Sequence, residues 1–115
     1  MEATIEFQLP IEKWTLERAK NLLESLDIDG FYTIGGDDGM IQYDIWGGVY
    51  IYEIKDEHVP TMLKKIINAG LWPSEIGTSE CSLGKDDFIV QYNRFGGKLD
   101  KFWDWMKTKT WRDEE

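Results

Sequence analysis

The first part of the chain changes from an alternating to a helical pattern of apolar residues. Residues 3–9 alternate between apolar and polar side chains, which is typical of a half-buried strand. An apolar stripe at helical spacing follows, on Leu16, Ala19, Leu22, Leu23 and Leu26. Thr15 stands before this stripe as a candidate N-cap, and Asp29-Gly30 is expected to stop the helix. A strand and then a helix are therefore predicted to begin the fold.

Three short strands are predicted next, in residues 31–34, 40–46 and 49–54. The first two are joined by Gly35-Gly36-Asp37-Asp38-Gly39, and a five-residue connection rich in Gly and Asp suits a hairpin. Gly47-Gly48 separates the second strand from the third and is either a tight turn or a bulge. We favour the turn, which makes the three strands a meander.

The second half of the chain carries the strongest helical pattern. An apolar stripe predicts a second helix with Pro60 in its first turn, on Val59, Met62, Leu63, Ile66 and Ile67. Residues 73–87 are irregular, with a short edge strand possible in 75–81, and the β-branched and aromatic content of 88–95 predicts another strand. After Gly96-Gly97 a final helix is predicted, with Leu99, Phe102, Trp103 and Met106 on one face.

The element order β-α-β-β-β-α-β-α predicts an α+β fold. We expect a mainly antiparallel sheet with two to three helices on one face, specifically a ferredoxin-like core with additions. Residues 1–106 are predicted to form a single domain, and residues 107–115 a flexible tail.

Composition limits the chemistry that this domain can perform. The 115 residues include one Cys and one His, so an internal disulfide and the usual structural zinc sites are excluded. The N-terminal residues do not have the pattern of a signal peptide, and no apolar run is long enough to span a membrane. We therefore expect a cytoplasmic protein that does not bind membranes.

Negative charge is concentrated in the middle of the chain. The formal net charge is −9, and the 34 residues from Glu24 to Glu57 contain nine acids and a single base, Lys55. A field of one sign repels nucleic acid and attracts basic partners. Direct nucleic-acid binding through this region is therefore disfavoured, and either a specific acidic interaction surface or simple solubility explains the charge.

Two side chains were weighed as catalytic groups. His58 follows two acids at the start of the second helix, but no nucleophile is tied to it by spacing, so we interpret it as a surface histidine. Cys81 follows Glu80, which opposes thiolate formation, so we interpret Cys81 as a partly buried or incidental thiol. We expect no catalytic residues, no cofactor and no metal site, and therefore predict that the protein is not an enzyme.

The run Gly35-Gly36-Asp37-Asp38 resembles the GGDD hairpin of palm-type nucleotide cyclases and polymerases. That resemblance implies that Asp37 and Asp38 hold divalent metal ions, which in turn hold a triphosphate. Such palms usually carry another metal-binding acid at the end of the first strand and a basic residue for the phosphates. Here the first strand offers Glu6 and no basic cluster is near, and a simple turn explains the same four residues.

Aromatic residues accompany the acids. Tyr50 and Tyr52 fall on one face of their predicted strand, and in a meander they neighbour Tyr43 as well as the acids around them. Aromatics beside carboxylates suit a partner rich in arginine, through stacking and ion pairing. The predicted partner-binding residues are Asp29, Asp37, Asp38, Asp44, Trp46, Tyr50, Tyr52 and Glu53.

These features favour a protein-binding module that inhibits or neutralises a basic, nucleic-acid-processing protein. Carboxylates spaced along a hairpin can occupy phosphate positions and so act as a nucleic-acid mimic. In character the chain is similar to phage counter-defence proteins and to bacterial immunity proteins, with no shared motif. The alternatives are a structural component of an assembly, including a homo-oligomer, and the metal-dependent palm.

Overall fold

A five-stranded antiparallel sheet forms the centre of the computed structural model, which describes residues 2–35 and 40–109. The strands are β1 (Glu2–Gln8), β2 (Ile41–Tyr43), β3 (Gly48–Lys55), β4 (Pro73–Gly77) and β5 (Ser82–Gly84). Their order in the sheet is β2-β3-β1-β4-β5, and every neighbouring pair is antiparallel. The long first strand is therefore central, because it pairs with both β3 and β4.

Four α-helices accompany this sheet. They are α1 (Leu16–Ser25), α2 (Val59–Asn68), α3 (Lys85–Arg94) and α4 (Leu99–Met106). Helix α1 connects β1 to β2 and α2 connects β3 to β4, which with the order β2-β3-β1-β4 is the ferredoxin-like arrangement. The predicted α+β fold is confirmed, with β5, α3 and α4 as the additions.

The first strand and first helix form where the sequence predicts them. Side chains of β1 alternate between buried and accessible positions, and the Thr15 hydroxyl accepts a hydrogen bond from the Arg18 amide at 3.2 Å, as an N-cap should. The helix ends earlier than predicted, at Ser25. Asp29 and Gly30 lie beyond it in a separate 3₁₀ turn, where both have positive φ.

The predicted strand in residues 31–34 does not form. Only one bridge, between Ile34 and Ile41, links this segment to the sheet. Tyr32 is held instead by side-chain hydrogen bonds, since its amide donates to the Asp27 carboxylate at 2.6 Å and its hydroxyl accepts from the Lys55 amide at 2.8 Å. The predicted meander therefore reduces to the β2–β3 hairpin. Its turn lies at residues 44–47 and not at the predicted Gly47-Gly48, because β2 ends at Tyr43 and Gly48 already belongs to β3.

The strand predicted in residues 88–95 is wrong, because this segment is helix α3. Asp86 and Asp87 lie in its first turn, where carboxylates interact favourably with the helix dipole. The two glycines after it form a helix C-cap: the Gly96 amide donates to the Asn93 carbonyl, and the Gly97 amide donates to the Tyr92 carbonyl. The described residues thus form four α-helices, where two to three were predicted.

The short strand predicted in 75–81 is present as β4, but it is not an edge strand. It pairs with β1 on one side and with β5 on the other, so β5 and β2 form the edges of the sheet. The turn after β4 is closed by Thr78, whose amide donates to the Cys81 carbonyl at 2.8 Å.

The core lies between the helices and one face of the sheet. The predicted apolar stripes of α2 and α4 are buried there, including Met62, Leu63, Phe102, Trp103 and Met106. Lys107, immediately after α4, forms ion pairs with Asp56 and Asp104, each at 3.3 Å. The rest of the predicted tail from 110 to 115, with Trp111, lies outside the described residues.

The opposite face of the sheet carries polar and aromatic side chains that are accessible to solvent. Because the strands alternate, the residues next to the buried positions of β1, β3 and β4 all point to this side. We call it the open face.

Candidate partner-binding surface

One row of side chains crosses the open face. Strand register places Gln42 opposite Tyr50, Tyr50 opposite Glu6, and Glu6 opposite Glu75. Directly opposite residues on antiparallel strands have Cβ atoms about 4.5–5.5 Å apart. The row therefore combines an aromatic ring with two carboxylates at fixed spacing.

Glu6 and Glu75 are like charges in direct opposition. Within the described part of the chain, neither carboxylate forms an ion pair within 4.0 Å. Burial and then the neighbouring Glu75 charge raise the pKa of Glu6 above its ordinary value. Like charges placed opposite each other destabilise a sheet, so this pair favours a cation that the described residues do not supply.

Replacing Glu6 with Gln is expected to raise the melting temperature at neutral pH. A carboxyl whose pKa is raised by folding binds protons more tightly in the native state, so stability falls as pH rises through that pKa. Acidification from neutral pH should therefore stabilise the wild type more than Glu6→Gln between pH 7 and the ordinary carboxyl range. Melting curves of both proteins against pH measure the difference, and parallel curves would contradict it.

The turn of the β2–β3 hairpin is organised by Asp44. Its carboxylate accepts hydrogen bonds from the amides of Trp46 at 2.8 Å and Gly48 at 2.9 Å, and from the Tyr50 hydroxyl at 3.2 Å. The bond from Gly48, aided by those from Trp46 and Tyr50, holds the pKa of Asp44 below its ordinary value. Asp44 therefore fixes the turn, while the Trp46 side chain projects from it with 73% of its surface exposed.

A bulge in β3 presents the next two predicted residues. Ile5 pairs with Ile51 and Ala3 with Ile54, so Tyr52 and Glu53 together stand opposite the single residue Thr4. Glu53 has φ 53°, a conformation that L-residues rarely adopt, and both side chains of the bulge are exposed. The bulge therefore presents an aromatic ring and a carboxylate side by side.

The structure brings only part of the predicted set together. Asp44, Trp46 and Tyr50 are in contact around the turn, and Tyr52 and Glu53 follow along the same strand. Asp29 belongs to the segment that Tyr32 anchors to Lys55, at the other end of β3. Asp37 and Asp38 lie outside the described residues.

The predicted meander places Tyr43 beside Tyr50 and Tyr52, and this prediction is wrong. The register partner of Tyr43 is Val49, so Tyr43 points to the helix side of the sheet. Conversely, Glu6 and Glu75, which the structure brings together on the open face, are not among the predicted partner-binding residues. The alternation of β1 places Glu6 on the polar face, but only the pairing of β1 with β4 shows that Glu75 stands beside it.

His58 is not the surface residue that was predicted. Its side chain is mostly buried, and its Nδ1 lies 2.8 Å from the Tyr32 hydroxyl, which ties the start of α2 to the segment after α1. Cys81, interpreted from the sequence as a partly buried or incidental thiol, is fully buried in the core. In residues 2–35 and 40–109, no group of three His, Cys, Asp or Glu side chains is arranged to hold a metal ion.

A scan against protein-family models and searches of the curated proteins and the solved structures give no match to this chain. The helices of the described ranges are all too short or too polar to cross a membrane.

Proposed function

We propose that this chain is a protein-binding module whose open face binds a basic protein, and that it inhibits or neutralises a nucleic-acid-processing protein. The observation that carries the proposal is the opposed pair of Glu6 and Glu75 beside Tyr50, which no cation of the described residues neutralises. An arginine side chain fits this row, because its guanidinium pairs with carboxylates and stacks on aromatic rings.

The arrangement also supports action as a nucleic-acid mimic. Glu6 and Glu75 lie on adjacent central strands, and neighbouring strands are about 4.8 Å apart. The sheet therefore holds the two charges at fixed positions, as a phosphate backbone does. The same field disfavours direct binding of nucleic acid, and we propose binding rather than catalysis as the activity. We place the protein in the cytoplasm, where a single buried cysteine such as Cys81 stays reduced.

Charge reversal of Glu75 is expected to separate binding from stability. Glu75→Lys places an ammonium opposite Glu6, so the melting temperature should rise while affinity for the basic partner falls about tenfold or more. Glu80→Lys, in the turn between β4 and β5, makes the same change in net charge away from the row and is the matched control.

The partner is first captured on the immobilised wild-type chain from a lysate of the organism that encodes it, released with rising salt and identified by mass spectrometry. Each variant is then titrated with that protein by calorimetry. Equal affinities for Glu75→Lys and Glu80→Lys would contradict the open-face proposal. The double variant Asp37→Lys, Asp38→Lys tests these two predicted partner-binding residues in the same titration.

A component of an assembly is the second candidate, because several large apolar side chains are exposed on the helix side of the β2–β3 hairpin, among them Tyr43 and Ile45. Self-association through these residues predicts a mass in solution that rises with concentration. Sedimentation equilibrium of the wild-type chain measures it.

A further inference from the structure

An apolar groove lies between α1 and the β2–β3 hairpin, on the side of the sheet opposite the open face. It encloses a volume of about 700 Å³. Its lining is mostly apolar and includes Leu9, Leu16, Ala19, Leu23, Tyr43 and Ile45. We call it the α1–β2 groove.

The walls of the groove are unusually exposed for apolar side chains. Leu16 on α1 is 87% exposed, and Ile45 on the hairpin is 84% exposed. Leu16 belongs to the apolar stripe predicted for the first helix, and Leu23 of the same stripe lines this groove together with Tyr43. Within the described residues no element packs over Leu16 and Ile45, so apolar side chains of α1 and of the hairpin converge on a surface that remains in contact with water.

The edge of the sheet beside the groove is already hydrogen-bonded. The Ile41 amide donates to the Thr33 carbonyl at 3.0 Å, and the Ile41 carbonyl accepts from the Gly35 amide at 2.8 Å. An added strand therefore cannot pair with β2 at Ile41. The apolar walls at Leu16 and Ile45 offer side-chain contacts, and an amphipathic helix matches these along one face at i, i+3, i+4 and i+7.

Charge identifies the kind of helix. Glu24 on α1 stands on one side of the groove, and Lys20, the single base in its lining, is 4.0 Å from Glu24 as its ion-pair partner. Asp44 stands on the other side, but its carboxylate is already hydrogen-bonded within the hairpin turn. A second copy of the chain would bring the same carboxylates and the same −9 charge against each other. A cationic helix instead complements the net negative charge of the chain, and its basic residues can reach the exposed Glu24 carboxylate.

We propose that the α1–β2 groove binds the apolar face of a basic amphipathic helix of a partner protein. This inference rests on the proposed function, since it assumes that the partner is basic. It adds that the partner contributes a helix, and that apolar contacts to Leu16 and Ile45 hold it.

The probe is a synthetic peptide of leucine and lysine whose leucines all lie on one helical face, with fluorescence anisotropy as the readout. A peptide of the same composition with its leucines scattered is the reference. Leu16→Ser and Ile45→Ser are each expected to weaken binding of the amphipathic peptide about tenfold, because each removes a buried apolar contact. Val90→Ser, at a 60% exposed position on α3, is the matched control and should bind as the wild type does.

Three results would overturn the inference. The first is equal affinity of the wild type, Leu16→Ser and Ile45→Ser for the amphipathic peptide. The second is equally tight binding of the scattered peptide, which would mean that charge alone is recognised. The third is a wild-type dimer, measured by sedimentation equilibrium, that Ile45→Ser dissociates, because a second copy would then occupy the groove.

The two proposals fail in different measurements. If Glu75→Lys binds the captured partner as tightly as Glu80→Lys does, while the groove variants still lose the peptide, the open-face proposal falls and the groove remains. If Glu75→Lys weakens partner binding and the groove variants bind the peptide normally, the groove proposal falls and the open-face proposal remains.

Discussion

Phe88→Ala is expected to lower the free energy of unfolding by about 3–5 kcal/mol, the usual cost of removing a buried aromatic side chain. Phe88 is fully buried, and its ring packs edge-on against Phe102 at a centroid distance of 5.1 Å. The same ring lies 6.2 Å from that of Trp72, so the substitution leaves a cavity where α3, α4 and the loop before β4 meet. Urea denaturation of both proteins measures the loss.

Val90→Ala is the matched control, and its stability is expected to stay within about 0.5 kcal/mol of the wild type. In helix α3, Phe88 and Val90 are roughly 200° apart around the axis, so one is buried and the other exposed. In a strand the two residues would share a face, and both substitutions would cost stability or neither would. Equal costs would therefore contradict the helix.

The sequence-based error over residues 88–95 has an identifiable cause. Ile89 and Val90 are β-branched, and together with the aromatic residues around them they match a strand by local propensity. Phe88 and Tyr92 are also spaced by four, however, and the glycine pair after residue 95 is a helix-ending signal. Propensity alone could not decide here, because the two patterns coexist and packing against Phe102 selects the helix.

The prediction of a strand over residues 31–34 is wrong for a different reason. These residues suit a strand, but Tyr32 is held by the nearby Asp27 and by Lys55 and His58, which lie 23 and 26 residues further along the chain. Elements with a long, uninterrupted period, such as β1 and α2, were predicted well because burial of a single face determines them. A four-residue segment has too little pattern to compete with tertiary contacts.

The candidate surface was predictable only where it is local. Asp44 and Tyr50 are six residues apart in one hairpin, so a turn between their strands brings them together. The Glu6–Glu75 pair depends on the register between β1 and β4, two strands that are far apart in the sequence, and no local pattern specifies that register. The groove was not predicted because the helical spacing of Leu16 shows which face of α1 it lies on, and not whether anything covers that face.

Asp56→Ala is expected to destabilise the protein by about 1–3 kcal/mol, although it removes one of the acids that give the middle of the chain its charge. The Asp56 carboxylate accepts a hydrogen bond from the Trp103 indole and another from the Lys107 ammonium at 3.3 Å, which joins the start of α2 to α4. Trp103 is only 2% exposed, so the substitution leaves a buried N–H without a partner. A double-mutant cycle with Trp103→Phe, measured by urea denaturation, should show a coupling energy of about 1 kcal/mol, and simple additivity would contradict it.

The pH dependence of stability separates such structural carboxylates from those available to a partner. Burial raises the pKa of Asp56, but the hydrogen bonds from Trp103 and Lys107 outweigh it and hold that pKa below its ordinary value. A lowered pKa contributes stability that is present at neutral pH and lost as pH falls through the ordinary carboxyl range towards the native value. The raised pKa of Glu6 acts with the opposite sign, because protonation removes a charge that is partly buried and also relieves its repulsion with Glu75.

Asp56→Asn should therefore lose less stability on acidification than the wild type, whereas Glu6→Gln should gain less. In calorimetric titrations at neutral pH, a folded Asp56→Asn is expected to bind the basic partner with unchanged affinity, because its carboxylate already has internal partners. Glu75→Lys is expected to bind the same partner more weakly than the wild type. If Asp56→Asn weakened partner binding as much as Glu75→Lys does, total negative charge rather than the open face would determine recognition.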